Sequence, residues 1–407
     1  MYYPRALEYS FQAAASQFPI VLLTGPRQVG KTTLLQHLAK SRRGYVTLDD
    51  PAVRVLAQSD PALFLQRYEP PVMIDEIQYA PQLLPHIKMH VDRKREPGAF
   101  WLTGSQHFHL MKNVSETLAG RVAILSLLGF TTRERRRRNV HVDPFLPTPE
   151  ALATRGTEAP KLTLKRVFED IWLGTFPVLV TKRVRDRDLF YSSYLQTYLQ
   201  RDVKDLAQVG NEATFLRFLT ACAARTGQML NLTDLARDAD IAVNTAKNWL
   251  SVLQASFQIT LLQPYHTNIT KRLVKTPKLY FLDTGLCAYL TRWSDPATLE
   301  SGAMGGTLLE TYVVAEVLKS WWNQGKQAAL YYLRTKDGYE IDLLLQQDRH
   351  VYPVEIKKAA SPRREWAQAF DSLNTLKLDW PAGAVVCLRR DALPLSDKVT
   401  ATPVGTV

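Results

Sequence analysis

The chain has 407 residues, 46% hydrophobic and 22% charged, a composition that excludes whole-chain disorder and a fibrous repeat. At roughly 100 to 200 residues per domain, that length is enough for several separate cores. Fifty-one Lys and Arg against 39 Asp and Glu leave a net charge of +12, so nucleic acid and phosphates are the first partners to consider.

The charge is uneven. Residues 1–130 contribute +4, 131–225 contribute +6, 226–290 contribute +2 and 291–407 contribute nothing. A basic middle and a neutral C-terminal segment imply different tasks for different regions. Cys222, Cys287 and Cys387 are far apart and have no zinc-like spacing, so reduced core thiols are expected. No apolar run approaches the roughly 20 residues that span a bilayer, and the expectation is a soluble cytoplasmic protein without a membrane partner.

In chain order, Ile20–Thr24, Tyr45–Leu48, Val72–Ile74, Phe100–Thr103 and Val122–Leu127 read as buried strands, with helical patterns between them. That alternation predicts a parallel sheet covered on both faces. Between the first strand and the first helix lies GPRQVGKT, Gly25 to Thr32, which fits GxxxxGK[ST] in the context that motif requires. Its glycines let successive N–H groups turn inward on phosphate oxygens, and the following helix presents its positive end to the same anion. Gly25, Pro26, Arg27, Gln28, Val29, Gly30, Lys31, Thr32 and Thr33 are therefore the expected ATP-binding residues. Lys31 would reach the β and γ phosphates, and Thr32 would ligate Mg2+. Asp75 and Glu76 end the strand VMIDE, where one acid can serve magnesium and the other can orient the attacking water.

Residues 131–162 read as a linker or mobile insertion, opening with a run in which Arg133 and Arg135 to Arg138 are basic. Such a run is expected either as a solvated stretch or as a contact to nucleic-acid phosphates. Residues 164–225 look helical. Residues 231–254 look like two helices joined by a turn, with Asn244 capping the second and Thr245, Lys247, Asn248 and Ser251 facing outward. A strand pair with Lys271, Arg272, Lys275 and Lys278 follows, an arrangement similar to a winged helix that could grip DNA. A helix and three strands are expected over 307–357. There Glu355 and Lys357 fall on one strand face, with Asp342 on the preceding strand and Glu310 on the helix, and two carboxylates and a lysine can serve a second Mg2+.

Four segments, GPRQVGKTTL at Gly25–Leu34, IDEIQ at Ile74–Gln78, LTGS at Leu102–Ser105 and LAGR at Leu118–Arg121, carry a resemblance to the AAA-type P-loop ATPases. More narrowly, the chain resembles a branch of prokaryotic ATP-binding proteins, and YLQRDV at Tyr198–Val203 and KLYFLDTGL at Lys278–Leu286 extend that resemblance over nearly the whole length. The resemblance implies a sensor position at Thr103 to Ser105 and makes Arg121 the candidate arginine finger, in cis or, in a homo-oligomer, in trans. The C-terminal segment resembles the restriction-endonuclease-like fold, which implies nuclease-site positions at Glu310, Asp342, Glu355 and Lys357, with Ile341 where that fold usually has proline. The expected architecture is mixed α/β: an AAA-type ATPase domain (1–130), a basic linker and helical lid-like region (131–225), a winged helix (226–290) and a restriction-endonuclease-like domain (291–407). ATP hydrolysis coupled to DNA is the first expectation. An ATP-gated metal-dependent nuclease and a nucleotide-switched scaffold are the alternatives.

Overall fold

A computed structural model of the chain describes residues 2–40, 43–104, 114, 116–138, 140–198, 212–265, 276–335 and 339–407. Its N-terminal sheet has strands β1 (Ile20–Thr24), β2 (Gly44–Thr47), β3 (Val72–Asp75), β4 (Phe100–Gly104) and β5 (Val122–Ser126). All pair in parallel, in the order β2-β3-β4-β1-β5. Every residue of β1, β3 and β4 is buried, as strands covered on both faces require. The five expected strands are all present, and because they run the same way, the ends of β1, β3 and β4 meet along one edge. The loop after β1 thus lies beside Asp75 and Thr103.

The stretch 131–162 is folded, not a loose linker. Thr132–Arg136 is a short helix closed by a Thr131–Glu134 capping box, and Pro149–Thr157 is a second helix capped by Thr148. Phe145 is fully buried, and Arg155 donates through Nε to the carbonyl of Thr406 at 2.8 Å. Proline-rich sequence without a period can still be fixed by such long-range contacts, which no local pattern reveals.

The middle is helical through Leu164–Leu173, Arg187–Tyr198 and Glu212–Ala224. Helices Leu232–Ala239 and Val243–Ala255 then bury Leu235, Ala236 and Ala239 against Ala246, Trp249, Leu250 and Leu253. The second helix starts after Ala242, so Asn244 lies inside its first turn and does not cap it. Strands β6 (Gln228–Met229), β7 (Ile259–Pro264) and β8 (Lys278–Phe281) pair antiparallel. Residues 199–203 of YLQRDV fall outside the described residues, as do Lys271, Arg272 and Lys275.

The C-terminal segment has the helix Gly305–Trp322 and strands β9 (Leu330–Arg334), β10 (Glu340–Gln347), β11 (His350–Lys357), β12 (Gly383–Cys387), β13 (Leu393–Pro394) and β14 (Val399–Pro403). These join β6–β8 in one nine-stranded sheet, ordered β13-β14-β12-β11-β10-β9-β7-β8-β6. The join is a parallel pairing of β7 with β9, Gln263 opposite Tyr331 and Pro264 opposite Tyr332. A boundary at residue 290 is therefore not a break in the sheet. The three cysteines are free and buried, as expected. Among the described residues no helix is long and apolar enough to cross a membrane.

Candidate functional site

The loop after β1 is shaped by its glycines. Gly25 has φ 144°, and a Cβ there would lie 2.0 Å from the Leu127 carbonyl oxygen, so only glycine lets the loop turn beneath that segment. Gly30, at φ 91°, caps the helix Lys31–Ala39 in the left-handed region without offering a side chain to the helix N–H groups. Those groups are left to an anion. The buried Lys31 donates through Nζ to the carbonyls of Gly25 and Pro26, each at 2.9 Å, so its ammonium is held at the mouth of the loop.

Asp75, at the end of β3, meets this loop. Thr32 Oγ1 is 3.0 Å from both carboxylate oxygens of Asp75. The Thr103 hydroxyl, from the end of β4, also donates to Asp75, and Tyr45 from β2 donates at 3.3 Å. Burial pushes the Asp75 carboxyl above its ordinary value, partly opposed by its hydrogen bond from Thr103. Glu76 takes the left-handed conformation at φ 59°, which turns its side chain out of the strand direction, and its N–H donates to Thr103 Oγ1 at 3.0 Å. Its carboxylate accepts from Gln78 Nε2. A hydroxyl and a carboxylate converging beside a lysine and an open helix N-terminus fit magnesium carried with a nucleoside triphosphate, since that ion takes few protein oxygens and completes its shell with phosphates and water. The sequence placed all these residues except Tyr45, which gave no signal. Thr103 lies at the expected sensor position, while Ser105 falls outside the described residues.

Arg121 does not join this group. It precedes β5, whose Val122 pairs with Ile20 at the start of β1, whereas the phosphate loop follows the end of β1. Roughly 15 Å of strand separates the two edges. Its guanidinium instead pairs with Asp92, Nε to Oδ1 at 2.6 Å. An arginine finger acting in cis is thereby excluded by geometry.

The arginine run is also corrected. Arg133 and Arg135 are buried. Arg135 pairs with the almost fully buried Asp170 at 2.8 Å, Arg136 pairs with the same carboxylate, and Arg133 donates to the Arg155 carbonyl. Arg137 lies over the Tyr3 ring, 4.1 Å from its centroid. Arg133, Arg135 and Arg136 thus hold the fold together and are not a surface for phosphates.

The C-terminal residues do come together in part. Glu310, on the helix Gly305–Trp322, accepts from Tyr280 Oη at 2.5 Å. Asp342, on β10, accepts the Ile356 N–H at 2.8 Å, which ties it to the strand carrying Glu355 and Lys357. Lys357 pairs with Glu355 Oε1. Burial, then the charge of Asp342, pushes Glu310 up to about 7 and Glu355 up to about 8. Lys278, expected to grip phosphate at a wing tip, is instead buried against Glu310 and Glu340. Among the described residues no group of three or more His, Cys, Asp or Glu is placed to hold a metal ion. Glu310 and Glu355 are each engaged by a lysine. Lys278 and Tyr280 were missed as members, although their spacing of two on a strand puts them on one face.

Three family models match the chain: an AAA domain at residues 17–135, a domain of unknown function (DUF8612) at 164–297 and a domain of unknown function (DUF4143) at 305–407. Uncharacterized proteins of Mycobacterium tuberculosis and Mycobacterium bovis are each 31% identical to it over 396 residues, 97% of this chain and 82% of theirs. Among solved structures, a Walker-type ATPase of Pyrococcus abyssi is similar at 16% identity and a TM-score of 0.44, covering 71% of this chain and 96% of its own.

Proposed function

The chain belongs to the family of these uncharacterized mycobacterial proteins and carries an AAA domain at its N-terminus, and from that premise we propose that it is a magnesium-dependent ATPase. The observation that carries this is the meeting of Thr32 and Asp75, 3.0 Å apart, beside the uncapped helix that begins at Lys31. Gly25 to Thr33 would wrap the phosphates, and Lys31 would leave its loop carbonyls to neutralise the terminal phosphates. Thr32 and Asp75 would hold magnesium, which screens phosphate charge when bound. Glu76 would accept a proton from the attacking water and aim it, while Thr103 keeps Asp75 in place.

DNA is the proposed object of the ATPase cycle. Supporting this, the helix Val243–Ala255 leaves Asn244, Lys247, Asn248 and Ser251 uncovered along one side, the side that a winged-helix reading would turn toward a groove. The C-terminal unit is assigned a scaffold role, because Glu310, Glu340 and Glu355 are already engaged by lysines. Arg121 remains a finger only for a neighbouring copy.

The test is phosphate release by the wild-type chain and by Lys31→Ala, each with ATP and Mg2+. Loss of more than about a hundredfold in kcat with the fold retained is expected. Equal release from both chains would sink the assignment.

A further inference from the structure

Lys278 stands on β8, outside the helix and strands that carry the C-terminal carboxylates. Its side chain is only 5% exposed, and Nζ lies 2.5 Å from Glu340 Oε1 and 3.5 Å from Glu310 Oε1. Tyr280, two residues further on the same face, donates to that same Glu310 oxygen. On the far side, Lys357 holds Glu355 Oε1. Glu355 Oε2 is buried without a hydrogen-bond partner, on a side chain 8% exposed. These acids have the composition of a cation site, in which Glu310 and Glu340 are met by the Lys278 ammonium and one oxygen of Glu355 by Lys357.

We infer that Lys278 is the resident cation of this cluster, standing where a divalent ion would otherwise be needed, and that the C-terminal unit as folded takes no metal. A magnesium ion takes oxygens in a near-octahedral set, and an oxygen already turned to an ammonium is not free to join it. Here the ammonium occupies the space between Glu310 and Glu340 and is itself shielded from water. The pairing of β8 with β7 and β6 fixes the backbone that carries Lys278. The cluster then serves as a polar tie between β8 and the C-terminal helix and strands. This inference stands apart from the ATPase reading, since no phosphate-loop residue takes part.

The experiment is a Mn2+ titration of the nucleotide-free full chain, with free ion read by electron paramagnetic resonance, beside the Asp342→Asn variant. Wild type is expected to show no site that Asp342→Asn removes. Lys278→Met is expected to gain one Mn2+ per chain, lost again in the Lys278→Met, Asp342→Asn double variant, whereas Lys278→Arg gains none. A wild-type site that Asp342→Asn abolishes overturns the inference, as does a folded Lys278→Met chain that gains none. Should Lys278→Met fail to fold, the comparison of wild type with Asp342→Asn decides alone.

Discussion

Glu310 and Glu355 are carboxyls whose ordinary value of 4.5 is raised in the fold to about 7 and about 8. Burial is the main cause and Asp342 the next, while Lys278, Tyr280 and Lys357 oppose it. A raised value means that the native state keeps protons which the unfolded chain has released. The resulting stability is complete below about 4.5 and is lost as pH rises through the folded values, at about 1.4 kcal/mol per pH unit for each retained proton. The melting temperature is therefore expected to fall between pH 5 and pH 8, and Glu310→Gln should flatten that slope; parallel pH profiles for the two chains would refute it. The contrast with the phosphate loop shows what a sequence can disclose. Gly25, Lys31 and Thr32 were legible because GxxxxGK[ST] fixes their spacing between a strand and a helix, and Asp75, 43 residues on, because an acid ending an apolar strand is the companion that motif calls for. Glu310 was placed, but its partners were not, because Lys278 and Tyr280 lie 32 and 30 residues away on an element assigned a different task.

At the scale of elements, the helix Thr132–Arg136 is the clearest misreading. Five arginines in six positions read as a solvated or phosphate-binding run, because composition counts charge without locating its partner. The partner is Asp170, 35 residues on in the helix Leu164–Leu173 and 2% exposed in its side chain. Glu134 is fully buried too, accepting from Arg5 Nε at 3.0 Å, while Arg5 also donates to the Val29 carbonyl at 2.9 Å. The short helix thus ties the phosphate loop to the helical middle. Arg136 still pairs with Asp170 when Arg135 is removed, but the hydrogen bonds of Arg135 to that carboxylate and to the Gly174 carbonyl are lost, so Arg135→Ala is expected to cost about 1.5 to 3 kcal/mol in denaturant unfolding. Arg138→Ala, at an exposed position, should change stability by less than about 0.5 kcal/mol. Similar costs for both would show that the run is solvated after all.

For the whole molecule, the question is how far the segments are separable. The family matches end one unit at 297 and begin the next at 305, which invites a cut between them. The packing argues against it. One hydrophobic cluster runs from Leu7 through the helical middle to Val407, and the helix Gly305–Trp322 buries Leu308, Leu309, Tyr312, Val313 and Val317 within it. That helix also accepts the Thr132 N–H through Glu316 at 2.8 Å and receives Phe145 N–H on Ser320 Oγ at 2.9 Å. A chain ending at residue 302 would lose those contacts, expose the β7 edge that pairs with β9, and leave Lys278 without Glu310 or Glu340. An unpaired edge invites association and the loss of the buried helix face removes apolar core, so both losses act in the same direction. The truncated chain is expected to lose its cooperative thermal transition and to be cut rapidly by protease within residues 226–265 and 276–302, while the full chain resists there. A sharp melt with protection of that region would show that the nine-stranded sheet is two independent sheets in contact, and that the helix Gly305–Trp322 rests against the middle without supporting it.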